Sequence, residues 1–344
     1  MKKKERRICV VDSLYCLFLY FLICGINETD IFVASERVPL HIRKKLNAIY
    51  FPQTDHNFEN LSSLSKIKKT LINKSKRIFG TLKLRFLLYF KTRDYHVKAY
   101  GQGHLDYSFP IYEYEDGFLL EDGLTNYVYD LKEPSYNEDT LRIKILYFFG
   151  CYVLDDSNAC LGPHKKIKKV YLTKKDVPDI IKNKTEVIDM KKLWEIKPES
   201  EKNKILDIYD IKEIINLLTG KNIILLITQC LSEDGIIPFD EEITIYNRLI
   251  KKYKSDKIII KPHPREKKDY TLIFPKSVII DKPFPLELLK CVGVKIEKIL
   301  TVSSNAASSF VNECEIESYN GETSSKKLNK QITSFNEMIY NMKN

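Results

Sequence analysis

Features of a metal-binding or disulfide-linked domain are missing from this sequence. Its 8 cysteines are scattered over 344 residues without a C-x-x-C pair, and no histidine stands at zinc-ligand spacing from them. No predicted strand ends in an Asp-x-Asp pair suited to Mg²⁺. We therefore interpret the cysteines as small buried residues of a reduced compartment, and we expect no metal and no other cofactor.

Acidic residues are absent from one long segment. Between Asn60 and Arg93 there are ten Lys or Arg and no Asp or Glu, in a chain whose net charge is +10. Apolar residues spaced by three and four separate these cations, which suits a helix lying on an acidic membrane surface. The alternative is a solvated helix face in a basic protein. No recognisable nucleic-acid-binding motif is present, so nucleic acid is not an expected partner. The apolar positions are Leu64, Ile67, Leu71, Ile72, Ile78, Phe79, Leu82, Phe86 and Phe90.

A 19-residue apolar run, residues 8–26, resembles a membrane anchor by its length alone. However, Asp12 interrupts the run, Ser13 is a good helix N-cap, and Gly25 can end a helix. These residues favour a first β-α unit over an anchor, which remains the alternative. The predicted elements are strand Ile8–Val11, helix Leu14–Cys24 and strand Asp30–Ala34.

Short apolar strands alternate with helix-like segments along the chain, the pattern of parallel sheets covered by helices. The predicted fold class is therefore α/β, with two doubly wound Rossmann-like domains. The expected domains are residues 1–195 and 205–323, followed by a terminal helix in 324–344, with a linker near Trp194–Lys204. The further predicted strands are Ala48–Phe51, His96–Tyr100, Leu119–Leu120, Val170–Leu172, Asn222–Thr228, Lys257–Lys261, Ser277–Asp281 and Lys298–Val302.

A histidine between two prolines follows one of these strands. The continuous apolar run Ile258–Ile260 predicts a strand that is buried on both faces. Pro262 and Pro264 then prevent further ladder pairing and stiffen the turn. His263 is thereby fixed at the carboxyl end of a buried strand, where open α/β sheets bind ligands. Lys261 and Arg265 beside it would attract an anion. A histidine that only satisfies a buried loop is the structural alternative.

Hydroxyl-rich residues follow the strand Lys298–Val302 and lead into a predicted helix. Ser303 or Ser304 can cap that helix, while its free backbone N–H groups and its dipole attract phosphate. Capping alone would explain one serine. Two adjacent serines followed by Asn305 at the end of a buried strand favour an anion-binding site.

Glu-Asp-Gly occurs twice, and the two copies receive different interpretations. Asp116–Gly117 suits a two-residue hairpin turn between Ile111–Tyr114 and Phe118–Leu120. In the second copy, Asp122 stands on a loop after a strand, where an aspartate could be a general base for a sugar hydroxyl. Acidic-Gly pairs are also common in ordinary turns.

Two further candidates lie in the second half of the chain. Asp234 is on the loop beyond strand Asn222–Thr228 and is a second base candidate, although a solvated turn residue is the default interpretation. Phe284, between two prolines, could lie near the base of a nucleotide. A proline at a helix start explains the same pattern.

Together these segments resemble the bacterial sialyltransferases of glycosyltransferase family 52, the lipooligosaccharide and capsule sialyltransferase group. The Glu-Asp-Gly and His-Pro motifs occur in the expected order with the serine pair behind them. The matching segments are Val11–Ser13, Tyr100–Leu105, Glu121–Asn126, Lys169–Thr173, Thr228–Gln229, Ser232–Asp234, Lys261–Arg265 and Ser303–Ala307.

The resemblance implies a GT-B arrangement with a cleft between the two domains. It also implies a CMP-sialic acid donor and an inverting, metal-independent transfer to a terminal sugar hydroxyl, usually of galactose. His263 would assist departure of CMP, Ser303 and Ser304 would hold its phosphate, and Asp122 or Asp234 would take the acceptor proton. Relatives can form homodimers, and a cytoplasmic location, peripheral at the inner membrane face, is expected.

Two alternatives remain open at this point. One is a GT-B glycosyltransferase that uses another nucleotide sugar. The other is a non-catalytic protein whose basic segment, residues 60–93, binds a membrane surface.

Overall fold

The computed structural model describes residues 3–52, 63–123, 125–128, 131–133, 140–149, 159–254 and 257–343. It divides the chain into two compact units, Met1–Ile208 and Tyr209–Asn344. The start of the basic segment, residues 60–62, and the side chains of Leu64 and Ile67 lie outside the described part.

Within its described residues, the first unit is built on seven parallel strands, β1 (Lys4–Val11), β2 (Ile31–Ala34), β3 (Ile49–Tyr50), β4 (Tyr95–Gly101), β5 (Asp116–Leu120), β6 (Ile167–Leu172) and β7 (Thr185–Val187). Their order in the sheet is β3-β2-β1-β4-β5-β6-β7, and each neighbouring pair is parallel. The order reverses between β1 and β4, so this pair marks the topological switch point of a doubly wound sheet.

Eight helices accompany these strands in the described residues, α1 (Leu14–Cys24), α2 (Leu40–Lys45), α3 (Ser63–Thr92), α4 (Phe109–Glu113), α5 (Thr125–Val128), α6 (Leu141–Phe148), α7 (Met190–Glu195) and α8 (Glu199–Tyr209). Helix α3 confirms the helix predicted for the basic segment. It packs the buried Leu84 and Leu88 against the core that lines the sheet. In the predicted linker, Trp194 packs against Phe18 of α1, with ring centroids 6.2 Å apart.

The apolar run near the N-terminus forms a β-α unit, as the sequence favours. Ser13 caps α1 by accepting the backbone N–H of Cys16 at 3.1 Å, and the helix ends at Gly25, whose φ of 71° is easily reached only by glycine. Both Phe18 and Phe21 are fully buried. None of the helices in the described residues is long and apolar enough to cross a bilayer.

The described part of the second unit also forms a parallel sheet, with five strands, β8 (Asn222–Ile227), β9 (Ile258–Lys261), β10 (Val278–Ile279), β11 (Lys295–Thr301) and β12 (Glu315–Ser318). The order β10-β9-β8-β11-β12 reverses between β8 and β11, which gives this sheet its own switch point. The helices are α9 (Lys212–Leu218), α10 (Phe239–Ile250), α11 (Tyr270–Ile273), α12 (Glu287–Cys291) and α13 (Lys326–Lys343). Leu328 and Ile332 of α13 pack into the core of this unit.

The hairpin predicted at Asp116–Gly117 is wrong. The residues before it form the short helix α4, and β5 pairs with β4 in parallel, so no strand runs back from a turn. Asp116 is the first residue of β5 and accepts a hydrogen bond from His96 of β4 at 2.9 Å. Helix α4 returns the chain across the sheet, which a two-residue turn cannot do.

Candidate functional site

A glutamine ties together the chain after two neighbouring strands of the first sheet. Gln102 directly follows β4, and its side-chain oxygen accepts the backbone N–H of Asp12, which follows β1, at 2.7 Å. Its amide group donates to Oδ1 of Asp122, after β5, at 2.6 Å. Gln102 is 3% exposed. The ends of three strands are thereby joined at the switch point through one buried amide.

Asp122, a predicted catalytic residue, remains accessible within this arrangement. Oδ2 lies 3.4 Å from Nε2 of His104, and 23% of the side chain is exposed. Its backbone N–H donates to the side-chain oxygen of Asn126 at 2.8 Å, which fixes the loop. The neighbouring Glu121 is buried and accepts the hydroxyl of Tyr15 at 2.7 Å, so Glu121 is a structural residue.

His263 follows β9 in the second unit and is held at several points. Its backbone N–H donates to Oε2 of Glu266 at 2.7 Å and to the hydroxyl of Thr228 at 3.2 Å. Nδ1 of the ring accepts the backbone N–H of Arg265 at 3.2 Å and lies 3.1 Å from the Cys230 sulfur. An amide N–H can only donate, so the proton of the neutral ring is on Nε2. Neutral His263 therefore offers Nε2–H as a donor.

Burial lowers the pKa of His263, and the cations of Arg265 and Lys261 lower it further. The imidazole is therefore neutral at pH 7. Burial also lowers the pKa of Lys261 to about 8, and its ammonium lies 5.3 Å from the ring centroid of Phe284. Phe284 is itself only 5% exposed. A buried cation next to His263 favours an anionic ligand at this strand end. Pro264, which directly follows His263, is exposed.

Asp234, the other predicted base, is paired with a cation. Both of its carboxylate oxygens accept hydrogen bonds from Arg265, each at 2.9 Å. These bonds lower the pKa of Asp234. A carboxylate held this way is a weaker proton acceptor than a free one.

The serines after β11 are positioned by a second glutamine. Gln229 follows β8, and its side-chain oxygen accepts the backbone N–H of Ser303 at 2.8 Å. Its amide nitrogen donates to the Ser303 hydroxyl oxygen at 3.4 Å. The hydroxyl proton of Ser303 is therefore still available to be donated to another group. At the switch point of each sheet, therefore, a glutamine side chain accepts a backbone N–H from the chain that follows the neighbouring strand.

The helix predicted after the serines is weaker than expected. Residues Asn305–Phe310 form a short 3-10 helix, and the Ser304 side chain makes no capping hydrogen bond. The helix dipole therefore contributes little here. The Ser303 backbone N–H is also used by Gln229. Any anion binding at this loop rests on hydroxyls and the exposed Asn305 rather than on a helix terminus.

A buried ion cluster lies beneath the His263 loop. The ammonium of Lys268 bonds carboxylates of Glu233 at 2.6 Å, Glu242 at 2.8 Å and Glu266 at 3.2 Å. These three carboxylates lie close enough together to ligate a metal ion, but the ammonium already occupies the position between them. Burial by itself would lower the pKa of Lys268, yet its hydrogen bonds to Glu233 and Glu242 raise it on balance. The cluster joins the loops after β8 and β9 to α10.

The two parallel sheets, each with its strand order reversed at a switch point and polar side chains gathered there, define a GT-B fold. A family comparison is more specific. The chain belongs to glycosyltransferase family 52, whose model matches residues 41–320.

Individual proteins are similar over most of the chain. An uncharacterized protein of Haemophilus influenzae is 39% identical over 231 residues, which cover 66% of this chain and 70% of that protein. An α/β-galactoside α-2,3-sialyltransferase of Photobacterium phosphoreum has a TM-score of 0.54 at 13% identity, covering 99% of this chain and 96% of its own. The GT-B domain of a Photobacterium damselae sialyltransferase has a TM-score of 0.59 at 13% identity, covering 98% and 97%. At this identity both structures support the fold alone.

Several residues of the site carried no predicted role. Gln102 and His104 lie in the segment Tyr100–Leu105, and Gln229 lies in Thr228–Gln229. A lone glutamine after a strand gives no signal of its partner. Cys230 contacts His263, which is 33 residues further along the chain, whereas Glu266 contacts His263 and Lys268 within its own loop. Only the shared position, directly after a buried strand, could have drawn attention to the glutamines.

Removing the central cation should destabilise the second unit. The Lys268→Met variant leaves buried carboxylates without their counter-charge, which costs about 3–5 kcal/mol of unfolding free energy. Urea denaturation at pH 7 measures this loss. The loss should shrink at pH 5, because protonation relieves the unpaired carboxylates. The matched control is Lys267→Met at an exposed position, for which a change within about 0.5 kcal/mol is expected. Equal stability of the two variants would contradict the role given to Lys268.

Proposed function

We propose that the protein is a sialyltransferase that moves sialic acid from CMP-sialic acid to a terminal galactose-type hydroxyl of a bacterial surface glycan. Membership of glycosyltransferase family 52 and the shared fold with two sialyltransferases support this proposal. The observation that carries it is the fixed tautomer of His263, which presents Nε2–H beside a buried lysine at the end of β9. A lipooligosaccharide or a capsule is the proposed acceptor, at the inner face of the cytoplasmic membrane.

The departing group is CMP, and its phosphate gains negative charge as the bond to C2 of the sialyl group breaks. His263 donates Nε2–H to a phosphate oxygen, and the Ser303 hydroxyl donates to the same group with Ser304 and Asn305 beside it. Lys261 adds positive charge from a buried position. Such preorganised donors stabilise the charge that develops in the transition state. The buried Phe284 contacts Lys261 and thereby helps to hold this cation in position.

The acceptor hydroxyl must lose its proton as it attacks C2 from the opposite face, which inverts the configuration. Asp122 is the proposed base, because it is partly exposed and, among the residues that the structure describes, its carboxylate contacts the neutral amide of Gln102 and the weakly basic ring of His104. Asp234 is bound at both oxygens by Arg265, which favours a role in orienting that arginine. The proposed reaction needs no metal ion, since protein donors and cations supply the electrostatic stabilisation.

A donor assay tests the reaction and the leaving-group site together. With EDTA present, the protein should release CMP from CMP-sialic acid when a terminal galactoside is supplied, and it should release no UMP or UDP from uridine sugars. His263→Ala should lower kcat by about 10²–10³-fold, since it removes the donor to the phosphate. Ser303→Ala should lower it by about tenfold or more.

Ser309→Ala is the matched control for the serine variant, because the Ser309 hydroxyl donates to the backbone carbonyl of Ala306, within its own short helix. It should keep full activity. Full transfer by both His263→Ala and Ser303→Ala would refute the site assignment. Turnover of a uridine sugar in place of CMP-sialic acid would refute the donor.

The two carboxylates can be separated with near-isosteric variants. Asp122→Asn keeps the volume of the side chain but removes the proton acceptor, so kcat for transfer should fall by about 10²–10⁴-fold. Asp234→Asn loses the charge partner of Arg265 and should cost about tenfold or less. Steady-state kinetics on a soluble galactoside, with thermal melts to confirm folding, provide the measurement. A greater loss of kcat in Asp234→Asn than in Asp122→Asn would identify Asp234, and not Asp122, as the base.

A further inference from the structure

Helix α3 carries a row of exposed phenylalanines on its outer face. Phe79, Phe86 and Phe90 are 74%, 64% and 54% exposed. Their spacing of seven and four residues places them on one side of the helix. Leu84 and Leu88, which pack into the core, lie on the opposite side of the helix axis from these phenylalanines. Soluble proteins rarely leave several large aromatic side chains exposed on one stripe without a partner.

Lysines alternate with the phenylalanines along the same stripe. Lys76 and Lys83 precede Phe79 and Phe86 by three residues each, and both are exposed. Neither has a carboxylate partner among the residues that the structure describes. All of α3 lacks acidic residues. The stripe therefore combines exposed apolar side chains with positive charges that no carboxylate of the described residues neutralises.

Helix α6 contacts α3 and carries exposed apolar side chains of its own. Leu141, Ile145 and Phe148 are spaced by four and three residues and are 74%, 49% and 51% exposed. Arg85 of α3 donates to the carbonyl of Phe148 at 2.9 Å, and its guanidinium lies 5.2 Å from the Phe148 ring centroid. The C-terminal end of α6 is thus held next to α3. No acidic residue occurs within α6.

Charge decides which partner fits this surface. A second copy of the same face would bring uncompensated lysines of one copy against those of the other, which like-charge repulsion opposes. An anionic lipid surface supplies negative charge for the lysines and an apolar boundary for the phenylalanines. Helices with aromatic and aliphatic residues between basic ones lie in that boundary.

We propose that Lys76, Phe79, Lys83, Phe86 and Phe90 of α3, with Leu141, Ile145 and Phe148 of α6, form a docking face for an anionic membrane surface. The phenylalanines enter the boundary between headgroups and acyl chains, and the lysines contact the headgroups. Helix α3 lies on the bilayer and does not cross it. The proposal is independent of the reaction proposed above, because it concerns binding and no step of catalysis.

Co-sedimentation of the full chain with vesicles tests the docking face. The wild-type protein should bind vesicles that contain phosphatidylglycerol and should bind pure phosphatidylcholine vesicles only weakly. Binding should fall as salt rises, because the lysine contribution is screened. Replacement of both lysines, as Lys76→Gln with Lys83→Gln, should weaken binding on the order of twentyfold. Phe79→Gln with Phe86→Gln and Phe90→Gln should weaken it at least as much.

Matched controls separate this face from general charge and general aromatic exposure. Lys327→Gln with Lys330→Gln removes two exposed lysines of α13, and Phe239→Gln removes a phenylalanine that is 46% exposed on α10. Both controls should bind as the wild type does. Circular dichroism melts should be unchanged in every variant, since all of the altered side chains are exposed.

Three outcomes would overturn the proposal. The first is no binding of the wild-type protein to phosphatidylglycerol vesicles at low salt. The second is equal loss of binding in the control variants. The third is a wild-type dimer, seen by light scattering, that the phenylalanine variants convert to monomer while vesicle binding persists. That result would assign the face to a second copy of the chain.

Discussion

The candidate site of each unit depends on one kind of hydrogen bond. A glutamine that follows one strand binds, through its side-chain amide, the backbone of the residue that follows the neighbouring strand at the topological switch point. At such a point the connections leave the sheet toward opposite faces, so the strand ends lack a crossover that would cover them. Gln102 binds the backbone N–H of Asp12 across β1 and β4, and Gln229 binds that of Ser303 across β8 and β11. Each amide satisfies a backbone donor and contacts the side chain of a candidate site residue, Asp122 in one unit and Ser303 in the other.

In the second unit, charge is arranged in two layers. Lys268 neutralises the buried carboxylates of Glu242 and Glu266 and the partly exposed one of Glu233, and Glu266 accepts the backbone N–H of His263. Burial lowers the pKa of His263, the cations of Arg265 and Lys261 beside the imidazole lower it further, and the ring therefore stays neutral. The ion cluster around Lys268 makes the loop rigid, and the cations of Arg265 and Lys261 attract an anion. Together they allow a neutral N–H donor to act on a phosphate, which agrees with a glycosyltransferase that releases a nucleotide.

Sequence patterns predicted the strands well where apolar runs were continuous, as at Ile258–Ile260, and the capped helix α1 from Ser13 and Gly25. They failed where local signals were ambiguous. Asp116–Gly117 has the composition of a hairpin turn, but the parallel pairing of β5 with β4 overrides that preference. The positions of His263 and Ser303 after buried strands were readable because parallel strands end at a common edge. The Gln102, Gln229 and Lys268 contacts join residues from separate loops, and no local pattern encodes such partners.

We propose that His263 is a neutral donor, protonated on Nε2, that binds the phosphate of CMP. Nitrogen-15 NMR of the histidine ring, recorded with and without CMP, tests it most directly. The free protein at pH 7 should show an Nε2-protonated neutral ring that gains a second proton only below pH 6.5, because the pKa is lowered. CMP should shift the Nε2 signal and raise that pKa. A ring protonated on Nδ1, or a signal that CMP leaves unchanged, would contradict the account.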